Sequence, residues 1–261
     1  MTRILRKNPL IEAVCEFHFD VPHWDWTIPG VVYGRIKDRF PDKAEATHVD
    51  FRVDETPEGV HPTAQARLGQ MQFWGRDRQQ LVQVGQEQLS IHQLKPYSGW
   101  PKFKVLIEQV LADYETEAPF KGIRRISLRY VNRLPIPDEP HKIEQLVRVM
   151  PQIPDSTDQL WASWFQQVEI LQPNNKAALV LRSGNLPLQQ AQPEEGEVTP
   201  LLSTRYMMLD LLFAHVGVQP IERENVSSWL ETAHQEIEAL FFKSLQPEYL
   251  KVFKPEDEDE N

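Results

Sequence analysis

Two hydrophobic periods alternate along this chain. Between residues 225 and 245, Val226, Trp229, Leu230, Ala233, Ile237, Leu240 and Phe241 recur at three- and four-residue spacing, and Asn225 stands where an N-cap would. That is a helix with one apolar stripe. Trp100, Phe103, Leu106, Ile107, Val110, Leu111 and Tyr114 repeat the pattern over 100–115, with Pro101 in the tolerated first turn. A shorter helix over 29–40 places Val32, Tyr33, Ile36 and Phe40 on one side. Over 142–150, Ile143, Leu146, Val147 and Met150 fit a fourth helix only briefly.

Elsewhere the period is two. In Asn8-Pro-Leu-Ile-Glu-Ala-Val-Cys-Glu-Phe-His-Phe-Asp20, Ile11, Ala13, Cys15, Phe17 and Phe19 point one way, and Glu12, Glu16 and His18 the other. Further strands are predicted at 46–53, 65–75, 80–94, 122–134, 160–171, 176–182 and 201–214, all rich in Val, Ile, Phe, Trp or Tyr. The alternation suits antiparallel sheets with one wet face. Each run of strands ends in a long amphipathic helix that must bury its stripe. The fold class is therefore α+β, with mostly antiparallel sheets in two similar halves, 1–137 and 138–255, each covered by one long helix. The Pro-, Gln- and Glu-rich stretch 183–200 reads as a long exposed loop, and the acidic end 256–261 as a solvated, disordered tail.

Charge narrows the partners. The chain has 38 Asp and Glu against 28 Lys and Arg, a formal net charge of −10. A broad anionic ligand such as nucleic acid or a charged lipid surface needs the opposite balance, so nucleic acid is not expected as the main ligand. No apolar run is long enough to cross a membrane as a helix, and the short charged start lacks the apolar core of a signal peptide. The one cysteine, Cys15, lies on the apolar face of the first strand and reads as a small buried hydrophobe. A cytoplasmic location is the expectation.

The strand Gly122-Ile-Arg-Arg-Ile-Ser-Leu-Arg-Tyr-Val-Asn-Arg-Leu134 bears on the two carboxylates of the opening strand. Ile126, Leu128 and Tyr130 share one face; Arg125, Arg129 and Arg133 share the other. If the two strands are neighbours, the arginines face Glu12 and Glu16, either as a solvated charge ladder or as the lining of a ligand groove. Glu231 and His234 add an E-x-x-H spacing on one helix face, but di-metal bundles need a second copy and further glutamates, and none exists. His234 therefore reads as a satisfied or capping histidine, with no metal or cofactor expected. Phosphate loops, dinucleotide fingerprints, nucleophile elbows, H-E-x-x-H and C-x-x-C are all missing from the sequence, as is the E-x-K half of a common nuclease signature. Trp24 and Trp26, in the loop His23-Trp-Asp-Trp26 after Pro22, are candidate anchors for a protein partner.

Three segments also carry a resemblance: Asn8-Pro9-Leu-Ile-Glu12-Ala13, Arg129-Tyr130-Val-Asn132, and Ala233-His234-Gln-Glu-Ile237 followed by phenylalanine. Together they resemble a sporadically distributed family of uncharacterised prokaryotic proteins of similar length, so the likeness spans nearly the whole chain. The resemblance implies a fold more than a chemistry, and a place among accessory proteins of mobile or defence islands, CRISPR neighbourhoods included. The functional expectation is a non-enzymatic accessory or regulatory protein that binds a protein partner. The alternative is a ligand-binding or enzymatic module whose cleft is lined by Glu12, Glu16, Arg125, Arg129 and His234.

Overall fold

A computed structural model describes residues 5–56, 59–136, 143–151, 164–173, 176–184 and 206–254, with the side chains of 47–68 and 143 left aside. The predicted loop beyond residue 184 and the acidic tail lie outside these residues. In chain order the elements are β1 (Leu10–Phe19), α1 (Ile28–Ile36), β2 (Asp42–Thr56), β3 (Gly59–Trp74), β4 (Gln80–Gly85), β5 (Gln88–Leu94) and α2 (Trp100–Glu117). Then follow β6 (Ile123–Pro135), β7 (Phe165–Leu171), β8 (Ala177–Gly184), β9 (Tyr206–His215), α3 (Val226–Ser244) and α4 (Pro247–Leu250).

The strands form one nine-stranded sheet in the order β2-β3-β4-β5-β1-β6-β9-β8-β7. Every neighbouring pair is antiparallel. The first strand of the chain is thus not at an edge. β1 pairs with β6 in the middle, Ala13 opposite Tyr130, Cys15 opposite Leu128 and Phe17 opposite Ile126. These residues are buried, and the helix stripes read from the sequence pack on the same side: Phe103, Ile107, Val110 and Leu111 of α2, and Leu230, Ala233 and Ile237 of α3. Phe19 stacks on Tyr114 and Phe120 with ring centroids 4.8 and 4.4 Å apart. Burying one such ring contributes about 1.5–3 kcal/mol, so this layer is the main stabilising term. α1 docks on α2 through Val32 and Ile36 and through ion pairs from Arg35 to Glu117 and Arg39 to Asp113.

The mixed α+β class and the long helices follow the periodicity, with three local differences. Residues 80–94 are two strands joined at Gln86-Glu87, where Glu87 takes φ 56° and neither central residue of the turn is a glycine, asparagine or proline. Gly85, just before it, is needed for space: a Cβ there would meet Gln70 Cγ at 2.7 Å and the Gly69 carbonyl oxygen at 2.9 Å on β3. The brief helical pattern at 142–150 yields only a 3-10 turn, Ile143–Gln145, and an antiparallel bridge from Val147 to Leu245. Four matched positions do not sustain a helix once Leu146 and Val147 can bury themselves under the end of α3. Finally, a 3-10 turn, Arg223–Asn225, leads directly into α3, so Asn225 is helical and its side chain caps nothing. Among the described residues no helix is long and apolar enough to cross a membrane.

Cys15 is fully buried and burial pushes its thiol pKa up, whereas the Glu12 side chain is 32% exposed. Cys15→Asp is therefore expected to cost several kcal/mol, an unpaired charge in the core, and Glu12→Gln no more than about 1 kcal/mol. Urea unfolding of both variants checks the assignment of the two faces; a tolerated Cys15→Asp would reverse it.

Candidate functional site

The polar face of the sheet follows from register alone. With Cys15 and Leu128 facing the helices, Glu12, Val14, Glu16 and His18 of β1 and Arg125, Ser127, Arg129, Val131 and Arg133 of β6 must face away. The structure brings five predicted residues, Glu12, Glu16, Arg125, Arg129 and Arg133, onto this one surface. Their pairing differs from the expected ladder. Arg129 lies opposite Val14 and Arg125 opposite His18, so each arginine is diagonal to the glutamates. Glu12 Oε1 instead lies 2.8 Å from His92 Nδ1 on β5, and Glu16 Oε1 2.7 Å from His18 Nε2 two residues along its own strand. Those hydrogen bonds, aided by the charges of Arg129 and Arg125 respectively, hold both carboxyls below the usual glutamate range against their partial burial.

Arg129 belongs to Asp210. Its Nε and Nη2 donate to Asp210 Oδ1 and Oδ2 at 2.8 and 2.7 Å, a two-pronged pair, and Arg182 Nη1 on β8 donates to the same Oδ2 at 3.2 Å. Arg182 Nε reaches on to Gln167 Oε1 at 2.8 Å. At the other end His92 Nε2 meets the Ser90 hydroxyl at 3.0 Å, which donates to Gln83 at 3.1 Å. A row of polar contacts thereby crosses the sheet from β4 to β7, with the attraction of Glu12 for Arg129 as its central link. Arg133 lies further along, its guanidinium 3.6 Å from the centre of the Tyr206 ring.

His234 is on the opposite face. It sits under α3 with its ring stacked on Trp100 at 4.4 Å and 11°, and its Nδ1 is 2.9 Å from the Tyr130 hydroxyl, which lies 3.4 Å from that of Tyr97. The sheet separates it from Glu12 and Arg129, so the six predicted groove residues do not converge. Nε2 is buried without a hydrogen-bond partner, and burial lowers the imidazole pKa to about 4. Glu231, the other half of the E-x-x-H spacing, accepts from Trp100 Nε1 at 3.1 Å and pairs with Lys104 Nζ at 3.3 Å. Among the described residues no group of three or more His, Cys, Asp and Glu side chains is placed to hold a metal.

The two tryptophans split. Trp24 packs against the core, whereas Trp26 is 47% exposed and meets it edge-on at 6.3 Å. Asp25 between them accepts from the Thr27 backbone N–H at 2.7 Å and from its hydroxyl, which shapes the entry to α1. Beside this loop lies an open depression of about 540 Å³, lined by Val21, Pro22, Ile28, Val31, Ala118 and Pro119 with His23, Asp25, Thr27 and Glu117 at its polar positions.

Three central partners escaped the sequence reading: Asp210, His92 and Arg182. Asp210 did carry a signal, as the only charge within Tyr206-Met-Met-Leu-Asp-Leu-Leu-Phe-Ala214. A lone acid in so apolar a strand calls for a cation. No protein-family model matches the chain, and no curated protein sequence is found similar to it.

His234 gives this region a measurable pH dependence. Its pKa is lower folded than unfolded, so its contribution is complete above pH 6.5 and is lost as pH falls toward 4. Between pH 7 and 5 the loss is expected to be about 2 kcal/mol, from protons taken up by the unfolded chain alone. Urea midpoints at the two pH values should diverge in the wild type and draw together in His234→Gln; equal divergence in both would remove the role of His234.

Proposed function

We propose that this chain is a non-enzymatic accessory or regulatory protein of the cytoplasm that works by holding a protein partner, and that the loop at 22–27 with its neighbouring depression is where it does so. One observation carries the reading: Trp26 is held out into water by a loop whose other tryptophan is rooted in the core. An aromatic on a fixed base loses little entropy on binding and suits an interface anchor. With exposed Val31 and the Asp25 carboxylate in the lining of the neighbouring depression, and Glu117 there already paired with Arg35, the surface suits a segment that offers an apolar side chain next to a lysine or arginine for Asp25. The defence setting implied by the resemblance belongs to the same proposal.

The alternative, a ligand or catalytic cleft, draws less support from the geometry. Glu12, Glu16 and Arg129 each already have a partner, and His234 lies across the sheet from them. We read the two runs of the chain as variations on one plan, β1 closing beside β5 before α2 and β6 closing beside β9 before α3. That order supports two similar runs divided ahead of β6, whereas the expected halves, 1–137 and 138–255, were divided after it.

The test is crosslinking capture from the native host, identification of the captured protein, and titration with that protein purified. Trp26→Ala is expected to weaken binding tenfold or more, a loss of at least about 1.4 kcal/mol, and Arg129→Gln to change it less than twofold. A partner indifferent to Trp26→Ala overturns the site, and one lost with Arg129→Gln moves it to the polar face. In mobility shifts at physiological salt the protein should bind DNA and RNA no tighter than the micromolar non-specific range. Nanomolar binding that collapses in Arg125→Ala and Arg129→Ala would reverse that assignment.

A further inference from the structure

β7 closes one side of the sheet, and among the described residues no strand pairs with its outer edge. Natural proteins blunt such edges with lysine, proline, a bulge or brevity, because the unpaired N–H and C=O groups are a template for another strand. β7 has none of these devices. Phe165-Gln-Gln-Val-Glu-Ile-Leu171 pairs with β8 in unbroken register and carries one charge, Glu169. Phe165 is 55%, Val168 47%, Ile170 43% and Leu171 57% exposed. The two faces follow from β8: Gln167 lies opposite Arg182 on the polar face, while Val168 and Ile170 lie opposite buried Leu181 and Leu179. The apolar layer of the core thus runs out to the edge and ends in water.

We propose that β7 pairs with β7 of a second copy, antiparallel about a two-fold axis through Val168, so that one sheet runs through both molecules. The segment is complementary to itself in that register. Val168 meets its own copy, Ile170 lies opposite Gln166, Leu171 opposite Phe165, and Glu169 opposite Gln167, so each carboxylate faces an amide. Antiparallel strands joined by a two-fold keep their faces, so only slips of whole residue pairs compete. Centring on Glu169 opposes the two carboxylates, and centring on Gln167 sets Phe165 against Glu169. The Val168 register alone pairs the whole strand. It joins the two apolar layers through Val168 and Ile170 and extends the polar row from Arg182 and Gln167 to the partner's Glu169.

So short a seam predicts a weak dimer, in the tens of micromolar, below the size of a standard interface. Two chains of net charge −10 repel, so added salt should tighten it. Sedimentation velocity from micromolar to several hundred micromolar should show the wild type passing from monomer to dimer, and Val168→Lys, with an unchanged melting temperature, remaining monomeric. Mild oxidation of Val168→Cys should trap a disulfide-linked dimer, since the two Cα atoms then lie within bridging distance. Gln166→Cys on the same edge should not cross-link, because its copies are about 13 Å apart in this register. Cys15 is buried and takes no part. A wild type that stays monomeric throughout, a dimer that survives Val168→Lys, or equal cross-linking by the two cysteine variants overturns the proposal. The first of these would leave the edge to a strand of another protein.

Discussion

Everything in this fold hangs on the pairing of β1 with β6. The other strands attach outward from these two, β5, β4, β3 and β2 on one side and β9, β8 and β7 on the other. Adjacent pairs such as β3–β4 and β4–β5 close through short turns and form locally. β1 and β6 bring together segments separated by a helix, four strands and a second helix, so their loop-closure entropy must be repaid by what they bury. The repayment is visible in their side chains: Ala13, Cys15 and Phe17 against Ile126, Leu128 and Tyr130, all closed to solvent and capped by the stripes of α2 and α3.

The same two strands explain why so many charges stand at the centre of a sheet. A slip of one residue between them would turn one strand over, bringing either Glu12 and Glu16 or Arg129 into the core in place of Cys15 or Leu128, at a cost of several kcal/mol for each unpaired charge. The polar row makes the correct register specific rather than merely favourable. Asp210 is the tightest element: its side chain is 7% exposed and is bonded by Arg129 and Arg182 from both flanking strands. Paired buried charges add little net stability compared with apolar residues, but they penalise the wrong alignment heavily.

Much of this was legible in the residues. The opening strand, its two faces from Ala13 onward, and the stripes of α2 and α3 follow from hydrophobic period, because each element buries one side only. At the start of β1 a register shift between Leu10 and Glu12 buries Leu10 in place of Ile11, and the adjacency of β1 and β6 entered only as a condition suggested by their opposite charges. What escaped was information that period does not carry. The turn at Gln86-Glu87 uses ordinary residues in an unusual conformation. The partners of Glu12 and Arg129, His92 and Asp210, sit on strands whose neighbours are set by the sheet order, and composition had suggested the nearest opposite charges instead. His234 was grouped with the carboxylates because its chemistry matched theirs, although its place on the apolar stripe of α3, next to Ala233 and Ile237, already put it on the other side.

Saturation decides where function can sit. At the centre of the sheet Glu12, Glu16 and Arg129 are each bonded to a neighbour, so a ligand there would have to displace His92, His18 or Asp210 before gaining anything. Further along β6, by contrast, the Nε of Arg133 is buried without a hydrogen-bond partner. The buried histidine has an unpaired nitrogen but lies among Trp100, Tyr130 and the α3 backbone, where it tunes stability with pH. At the periphery the balance reverses. Trp26 and β7 expose apolar surface that the fold positions firmly and leaves uncovered, and such surface gains free energy on contact without first breaking an internal bond. A bonded centre with exposed apolar side chains at its rims is the arrangement on which the proposed contacts at Trp26 and β7 rest.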